Sequence, residues 1–588
     1  MFEFRSRTRD LNLWSRITVP ERLTIDQKVI LCFYWIVFGT TCILAFKLGP
    51  TAPPFSTFVF LVGIYAIPIV LIYLRTPLPI VKGLLLTSTA LGVLIIIDPF
   101  EPELYGYDSF NLLNDWVFYL NYDITIETFV SLSEERPFFF QFSNIIYRLL
   151  DIVLVDLLHI YDRIDPLTVA KYIPLLSVFT PYLFYVALSK FTNARRALVV
   201  AFGFASVRTF LLIESQFINE MFGLFLFVLL LTLVPRIESR NVSVAVLGAL
   251  GVALAGTHHF AASVATGFFG LWLGVSLLST SSLPYRVPYL PRFLPNPTRR
   301  RAPIRNLAIA TIAIGVVNLY FFSYIQTGMS IDLVNAFINR LLLDGSTGGA
   351  TGNIGSGVGG EGNTVRTLLS SYGAILVLGL LAAINAATIL TSYDNAVWET
   401  AWVVYNGILS VAYVLFLVIG RLVWLDPSRF LVFLLPFLLG VAIHALGEYR
   451  FHVTEWGASD IQIGSLIVIL LVVTQTAAIP SYVLETDPST SAIGESHNTV
   501  QHLSASDWLQ TTGTKPVVSW EGVVWGVRNG HKIRSFEEFD GDCGDGLYIE
   551  WREAAARSLG RSREDVLSQY SVIYSSGDVS LGYCRGPS

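Results

Sequence analysis

Apolar residues fall along the chain in long blocks separated by short polar punctuation. Blocks of the length a helix needs to cross a bilayer, about 17 to 25 residues, occur near 29–48, 55–74, 81–97, 167–189, 197–213, 217–234, 242–257, 260–278, 306–325, 367–391, 398–420, 429–447 and 461–479. The pattern predicts about thirteen transmembrane helices, one either way, because the fifth and seventh blocks are short or polar-tipped. It therefore predicts an all-α polytopic membrane domain over 29–480 behind a polar segment at 1–28.

Two interruptions stand out. The first, 98–166, leaves the third block as IIIDPFEPELYGYDSFNLLNDW. Within it, Phe138, Phe142, Ile145, Ile146, Leu149, Val153 and Leu157 recur at helical spacing, with Arg148, Asp151, Asp156 and His159 between them. Such a stretch lies in the membrane interface and does not cross. The second, 326–366, contains DGSTGGATGNIGSGVGGEGN and is too Gly-rich to pack a core; it reads as a lid over a substrate or as an insertion without packed structure. From Ser481 the chain turns polar, and 481–588 reads as a small α/β domain: a helix, a turn and short strands over SASDWLQTTGTKPVVSWEGVVWGV, a helix at WREAAARSLG and a hairpin at SVIYSSGDVSLGYC.

Composition agrees with the pattern. Of 588 residues 53% are hydrophobic and 14% charged, against about 25% charged in soluble domains. The net charge of -5 and the absence of a basic tract exclude nucleic acid as a partner. No short apolar core with a cleavage site occurs in the first 28 residues, so no removable signal peptide is expected. Cys32 and Cys42 read as small core residues, whereas Cys543 and Cys584 are either a disulfide or two free thiols.

Charge also sets an expected orientation, since loops kept in the cytoplasm hold an excess of Lys and Arg. With the N-terminus inside, Arg5 to Lys28, Arg75, Lys82, Lys190, Arg195, Arg196, Arg236, Arg240 and the basic loop from Arg286 to Arg305 all fall on the cytoplasmic side. The loop 98–166, the Gly-rich loop and the C-terminal domain then lie outside. Acidic residues, histidines and Arg421 and Arg429 gather on that same outer face.

Carboxylates at a membrane surface are costly unless used. Asp108, in YGYDSFNLL, is placed to accept a proton from an incoming hydroxyl or amide, or to hold a divalent ion; a solvated loop residue is the plainer reading. Asp98 ends a helix. Glu214 and Glu220 flank an outer turn, with Glu220 entering the next helix and Arg208 as a competing partner. His258 and His259, if helical, point about 100° apart and do not share one metal. Arg421 and Arg429 flank WLDPS, where a planar fork of donors suits a phosphate and Asp426 offers a simple ion pair instead. No phosphate-binding glycine loop, nucleophile-elbow serine or Cys/His metal spacing occurs.

Together these residues resemble the GT-C superfamily of integral-membrane glycosyltransferases, and more distantly the oligosaccharyltransferase catalytic subunits. LYGYDSFNLLNDWVFYL looks like the family's first-loop acidic motif, and DPSRFLVFLLPFLLG like the late helix whose leading Arg meets a lipid-linked phosphate. The tail segment SWEGVVWG lacks the Asp of the oligosaccharyltransferase WWDYG motif. The resemblance implies a GT-C-like fold and transfer of a sugar from a polyprenyl-phosphate-linked donor to a glycan, lipid or protein acceptor outside the cell. It implies Asp108 as the catalytic or metal-binding carboxylate and Arg429 as the residue that meets the phosphate; the gathering of polar residues on the outer face adds Glu220 and Glu214 as catalytic, Arg421 as phosphate-binding, and Asp98, His258 and His259 as lining the pocket. A divalent cation, Mg or Mn, with Asp108 as a ligand is a further implication. The competing readings are a transporter or lipid-carrier flippase and an inactive scaffold.

Overall fold

The computed structural model of the chain describes residues 23–48, 54–97, 170–216, 218–280, 303–324, 378–380, 382–383, 385–386, 397–419, 427–448 and 461–477, and the backbone of strands at 450–451, 517–519, 533–535, 547–552, 571–576 and 579–584. The segment 98–166, the Gly-rich loop 326–366 and most of 481–588 lie outside the described residues.

The described core is helical. In chain order it contains α1 (Ile25–Ile43), α2 (Pro54–Tyr73), α3 (Leu78–Ile97), α4 (Phe179–Ser189), α5 (Ala194–Ala205), α6 (Arg208–Glu214), α7 (Asn219–Leu233), α8 (Gly248–Thr257), α9 (His259–Thr280), α10 (Ile304–Tyr324), α11 (Val397–Ile419), α12 (Pro427–Glu448) and α13 (Ile463–Ala477). Thirteen spans were expected; among the described residues five stretches are long and apolar enough to cross a membrane, or six if α5 and α6 form one broken span. Several apolar helices are simply short, such as α7 with 15 residues. The chain is a membrane protein, and the exposed faces of α1 and α10, with Val29, Phe33, Ile36, Ile312, Val316 and Leu319, are as apolar as its interior.

One expected span is not straight. The block 197–213 bends by 67° between α5 and α6. The Ser206 hydroxyl donates to the Gly203 carbonyl at 2.9 Å, competing with the helical ladder, and Val207 adopts an extended conformation before α6 starts.

Helix ends show what several basic residues do. The α1 N-terminus carries a capping box: the Gln27 amide donates to Thr24 Oγ1 and the Thr24 amide to Gln27 Oε1. Gln27 Nε2 also donates to the Leu74 carbonyl at 2.7 Å, fastening the start of α1 to the end of α2. That end is a Schellman turn, in which the Thr76 amide donates to the Leu71 carbonyl and Arg75 takes the left-handed conformation (φ 58°). Arg195 donates to the Ile72, Thr76 and Arg75 carbonyls at 3.1 to 3.2 Å. Arg236 donates to the Thr232 and Val186 carbonyls, and burial lowers the pKa of its guanidinium. Arg305 donates to the Glu238 carbonyl, and Asn306 to those of Val234 and Ile237. Arginines that read as an orientation signal thus also satisfy orphan carbonyls at helix C-termini, where the dipole favours cations.

The interior is aromatic where α7, α9, α11 and α12 meet. Phe268 is packed by Trp402, Tyr405 and Phe437 with ring centroids 5.0 to 5.7 Å apart. Trp402 Nε1 donates to the Phe437 carbonyl at 3.2 Å and the Tyr405 hydroxyl to the Val264 carbonyl at 2.7 Å, so the polar tips are satisfied. Of the cysteines expected in the core, Cys42 is half-buried but Cys32 is exposed, because it lies on the face of α1 turned away from α2 and α3.

A five-stranded mixed sheet lies in the polar C-terminal region, in the order β4-β3-β5-β7-β6, built from β3 (Val517–Ser519), β4 (Ile533–Ser535), β5 (Leu547–Arg552), β6 (Ser571–Ser576) and β7 (Val579–Cys584). A small pair, β1 (Arg450–Phe451) and β2 (Ile461–Gln462), precedes α13. The expected hairpin is β6 and β7, with Ser576 opposite Val579. The helix expected from Trp551 is corrected at its start: Trp551 and Arg552 end β5, paired with Ser580 and Val579. Cross-strand pairing at long sequence distance overrides local helix propensity there. Cys584 closes β7, and Cys543 lies outside the described residues.

Candidate functional site

Two carboxyl groups flank the turn between α6 and α7 in different electrical settings. Glu220 sits in the first turn of α7, after Ile218 in extended conformation, where the helix dipole stabilises an anion. Glu214 is the last residue of α6, at the carbonyl end of a helix. It is wholly buried, and neither of its oxygens has a hydrogen-bond partner among the described residues. A buried carboxyl without donors is a costly arrangement. Glu220 acts on it electrostatically.

His258 occupies the joint between α8 and α9. Its amide donates to the Leu254 carbonyl and its own carbonyl accepts from the Ala262 amide, so both helices fix its backbone. Its Nδ1 accepts from the Ala261 amide at 3.2 Å, which makes the imidazole the N-cap of α9 in the place usually held by Ser, Thr, Asp or Asn. The opposite nitrogen, Nε2, stands 3.6 Å from Glu220 Oε1, within ion-pair range and longer than a good hydrogen bond. The sequence placed both histidines at a turn between two apolar blocks; His258 forms the joint, His259 opens α9, and the two rings lie 5.3 Å apart.

A third element closes on this joint. The His258 ring stacks on Phe433 of α12 at 5.8 Å and 12°, and Phe260 packs against Phe430 and Phe433 at 5.4 and 5.3 Å. Arg429 lies in the first turn of α12, four positions before Phe433. The approach of α7 to His258 depends on Gly223, where a Cβ would meet the His258 Cβ at 2.9 Å.

With this geometry in place, the chain shows a distant structural likeness to an archaeal oligosaccharyltransferase. The Archaeoglobus fulgidus enzyme tethered through a disulfide to an acceptor peptide containing the NVT sequon is 13% identical, with a TM-score of 0.45, covering 86% of this chain and 74% of that one. The same enzyme in complex with Zn and sulfate is 13% identical, with a TM-score of 0.44 and coverage of 85% and 73%. No family model and no curated protein matches the chain.

Of the residues singled out in sequence, Glu214, Glu220, His258 and His259 come together around the joint of α6, α7, α8 and α9. Arg429 is placed by the backbone of α12. Asp98, Asp108 and Arg421 lie outside the described residues. Gly223, Phe260 and Phe433 were not singled out. A lone glycine three residues after Glu220 in an apolar helix was the available signal, since small residues mark close helix contacts in membranes. Among the described residues no group of three His, Cys, Asp or Glu side chains could hold a metal ion.

Proposed function

We propose that the chain is a membrane glycosyltransferase that moves a sugar from a polyprenyl-phosphate-linked donor to an acceptor on the extracytoplasmic side. The observation that supports this most directly is the meeting of Glu214, Glu220 and His258 beneath the first turns of α12. A carboxylate pair walled by aromatic rings at the end of several helices suits a sugar and a polar acceptor entering a membrane protein from one face. The orientation follows the basic residues, and the C-terminal sheet belongs to a small outer domain over 481–588.

In this mechanism the acceptor's nucleophilic atom attacks the anomeric carbon as the bond from that carbon to the phosphate oxygen breaks. Asp108 takes the acceptor's proton. Arg429, with Arg421, stabilises the charge that grows on the departing phosphate, where fixed cations are most effective. Glu220 orients the acceptor and Glu214 completes the pocket, with Asp98 and His259 at its edge. A divalent cation such as Mg or Mn would be held by Asp108 and Glu220 and would supply further charge neutralisation. The test is transfer from a polyprenyl-phosphate-linked sugar in membranes: Asp108→Asn and Arg429→Ala each lower the rate by about 100-fold or more, and wild-type rates in both would end the assignment.

The bend between α5 and α6 supports a second reading. A broken helix ending in a buried carboxyl is also how ion-coupled carriers bind their substrates. Uptake or counterflow in proteoliposomes with no glycosylated product would favour that reading.

A further inference from the structure

We infer that the turn closing α2 is a seat for the phosphate headgroup of an anionic phospholipid, gripped by Arg75 and Arg196. Arg75 stands in an unfavourable place. With φ at 58° it is the single non-glycine residue of positive φ among the described residues, and the left-handed position that ends a helix ordinarily goes to Gly or Asn. Capping α2 does not explain an arginine there. The Leu74 carbonyl accepts from Gln27, and those of Ile72, Arg75 and Thr76 accept from Arg195. Arg75 itself is exposed, and its guanidinium has no ion pair or hydrogen bond among the described residues.

Arg196 is a second cation in a place that disfavours it. It lies in the first turn of α5, the positive end of the helix dipole. Its neighbour Arg195 serves the α2 carbonyls, whereas Arg196 has no ion pair among the described residues and acts electrostatically on Tyr73, two positions before Arg75. Lys82, by contrast, is engaged 5.1 Å over the Tyr185 ring. Because Arg195 fastens the start of α5 to the Arg75 carbonyl itself, the two guanidinia without a carboxylate share one corner of the bundle. A pair of planar forks at one corner suits the oxygens of a phosphate.

The surface around that corner selects a lipid over a free phosphate. Val70, Tyr73 and Leu74 at the end of α2 and Ile25 and Val29 at the start of α1 are 38 to 79% exposed, and Gln27 joins the two ends through the Leu74 carbonyl. Apolar side chains beside two cations at a helix end match acyl chains below an anionic headgroup. The seat owes nothing to the transferase reading: it is built from the ends of α1, α2 and α5, none of which carries Glu214, Glu220 or Arg429.

The test is native mass spectrometry of the purified full-length protein in detergent, titrated with phosphatidylglycerol or with phosphatidylcholine, to give Kd for the first bound lipid. The wild type is expected to prefer phosphatidylglycerol about 25-fold, roughly fivefold for each cation. Arg75→Gly and Arg75→Asn are each expected to lose about fivefold for phosphatidylglycerol with phosphatidylcholine unchanged. Both are expected to melt at or above the wild-type temperature, since each residue accepts the left-handed conformation, so the loss is not one of folding. Arg196→Gln is expected to lose a similar factor, and Arg240→Gln, at another exposed cation, less than about twofold. Equal binding of the two lipids by the wild type, or an equal loss in Arg240→Gln and Arg75→Gly, would overturn the inference in favour of a general attraction to basic residues. Displacement of phosphatidylglycerol by soluble glycerol phosphate at comparable concentration would overturn it in favour of a free-phosphate site.

Discussion

Gly223 and His258 touch where α7 crosses the joint of α8 and α9: a Cβ added at 223 would stand 2.9 Å from the His258 Cβ and 3.0 Å from that of Ala261. Both neighbours are Cβ atoms fixed to their backbones, so the contact cannot be relieved by a rotamer change. Gly223→Ala must separate the elements that carry Glu220 and His258. It is expected to cost about 1–3 kcal/mol of stability and to lower transfer more than a control Gly→Ala substitution at exposed Gly39, where nothing lies within 4 Å. Thermal unfolding in detergent and a transfer assay together check this.

Glu214 offers a test of function set against stability. A wholly buried carboxyl with no donor among the described residues is a poor choice for a structural position. Glu214→Met is expected to raise stability by about 1–3 kcal/mol, because an apolar side chain of similar size removes the unsatisfied buried polar group, and to reduce transfer. Improved stability with undiminished transfer would remove Glu214 from the site.

Arg195 ties α5 to the end of α2 through three carbonyl contacts. Arg195→Ala is expected to destabilise by about 1–2 kcal/mol, as orphan carbonyls at a helix end lose their donor. Arg195→Lys is expected to recover only part of that loss, because one ammonium cannot span the carbonyls of Ile72, Arg75 and Thr76 as a fork does. Chemical denaturation of the three proteins decides it.

The aromatic core is built to close tolerance at Gly440, where a Cβ would overlap the Trp402 indole. Gly440→Ala must push Trp402 from its place and break its hydrogen bond to the Phe437 carbonyl. The expected loss is about 2–4 kcal/mol, combining overpacking with a lost buried hydrogen bond. Trp402→Phe is expected to be milder, and the difference in unfolding midpoints measures the two contributions.

Helices were legible in the chain because their signal is local. The block 398–420 corresponds to Val397–Ile419, and 217–234 to Asn219–Leu233. The bend at 206–207 was hidden, since a Ser hydroxyl turning back to Gly203 looks in sequence like any small polar residue. The strand at Trp551 and Arg552 was hidden for another reason: its partners Ser580 and Val579 are almost thirty residues away. For the site, membrane depth alone marked Glu214, Glu220 and the His258–His259 pair as unusual. Their convergence came from helix packing, and the cap at Ala261, the stack on Phe433 and the gap at Gly223 are tertiary contacts with no local pattern.

The most direct measurement places the purified protein in proteoliposomes with a polyprenyl-phosphate-linked sugar and an acceptor, and follows glycosylated product together with free polyprenyl phosphate. Equal amounts of both from the wild type, and about 100-fold less of both from Arg429→Ala, are the result expected of a fixed cation on the departing phosphate. Sugar crossing the bilayer with its phosphate bond intact, or full product from Arg429→Ala, would contradict it.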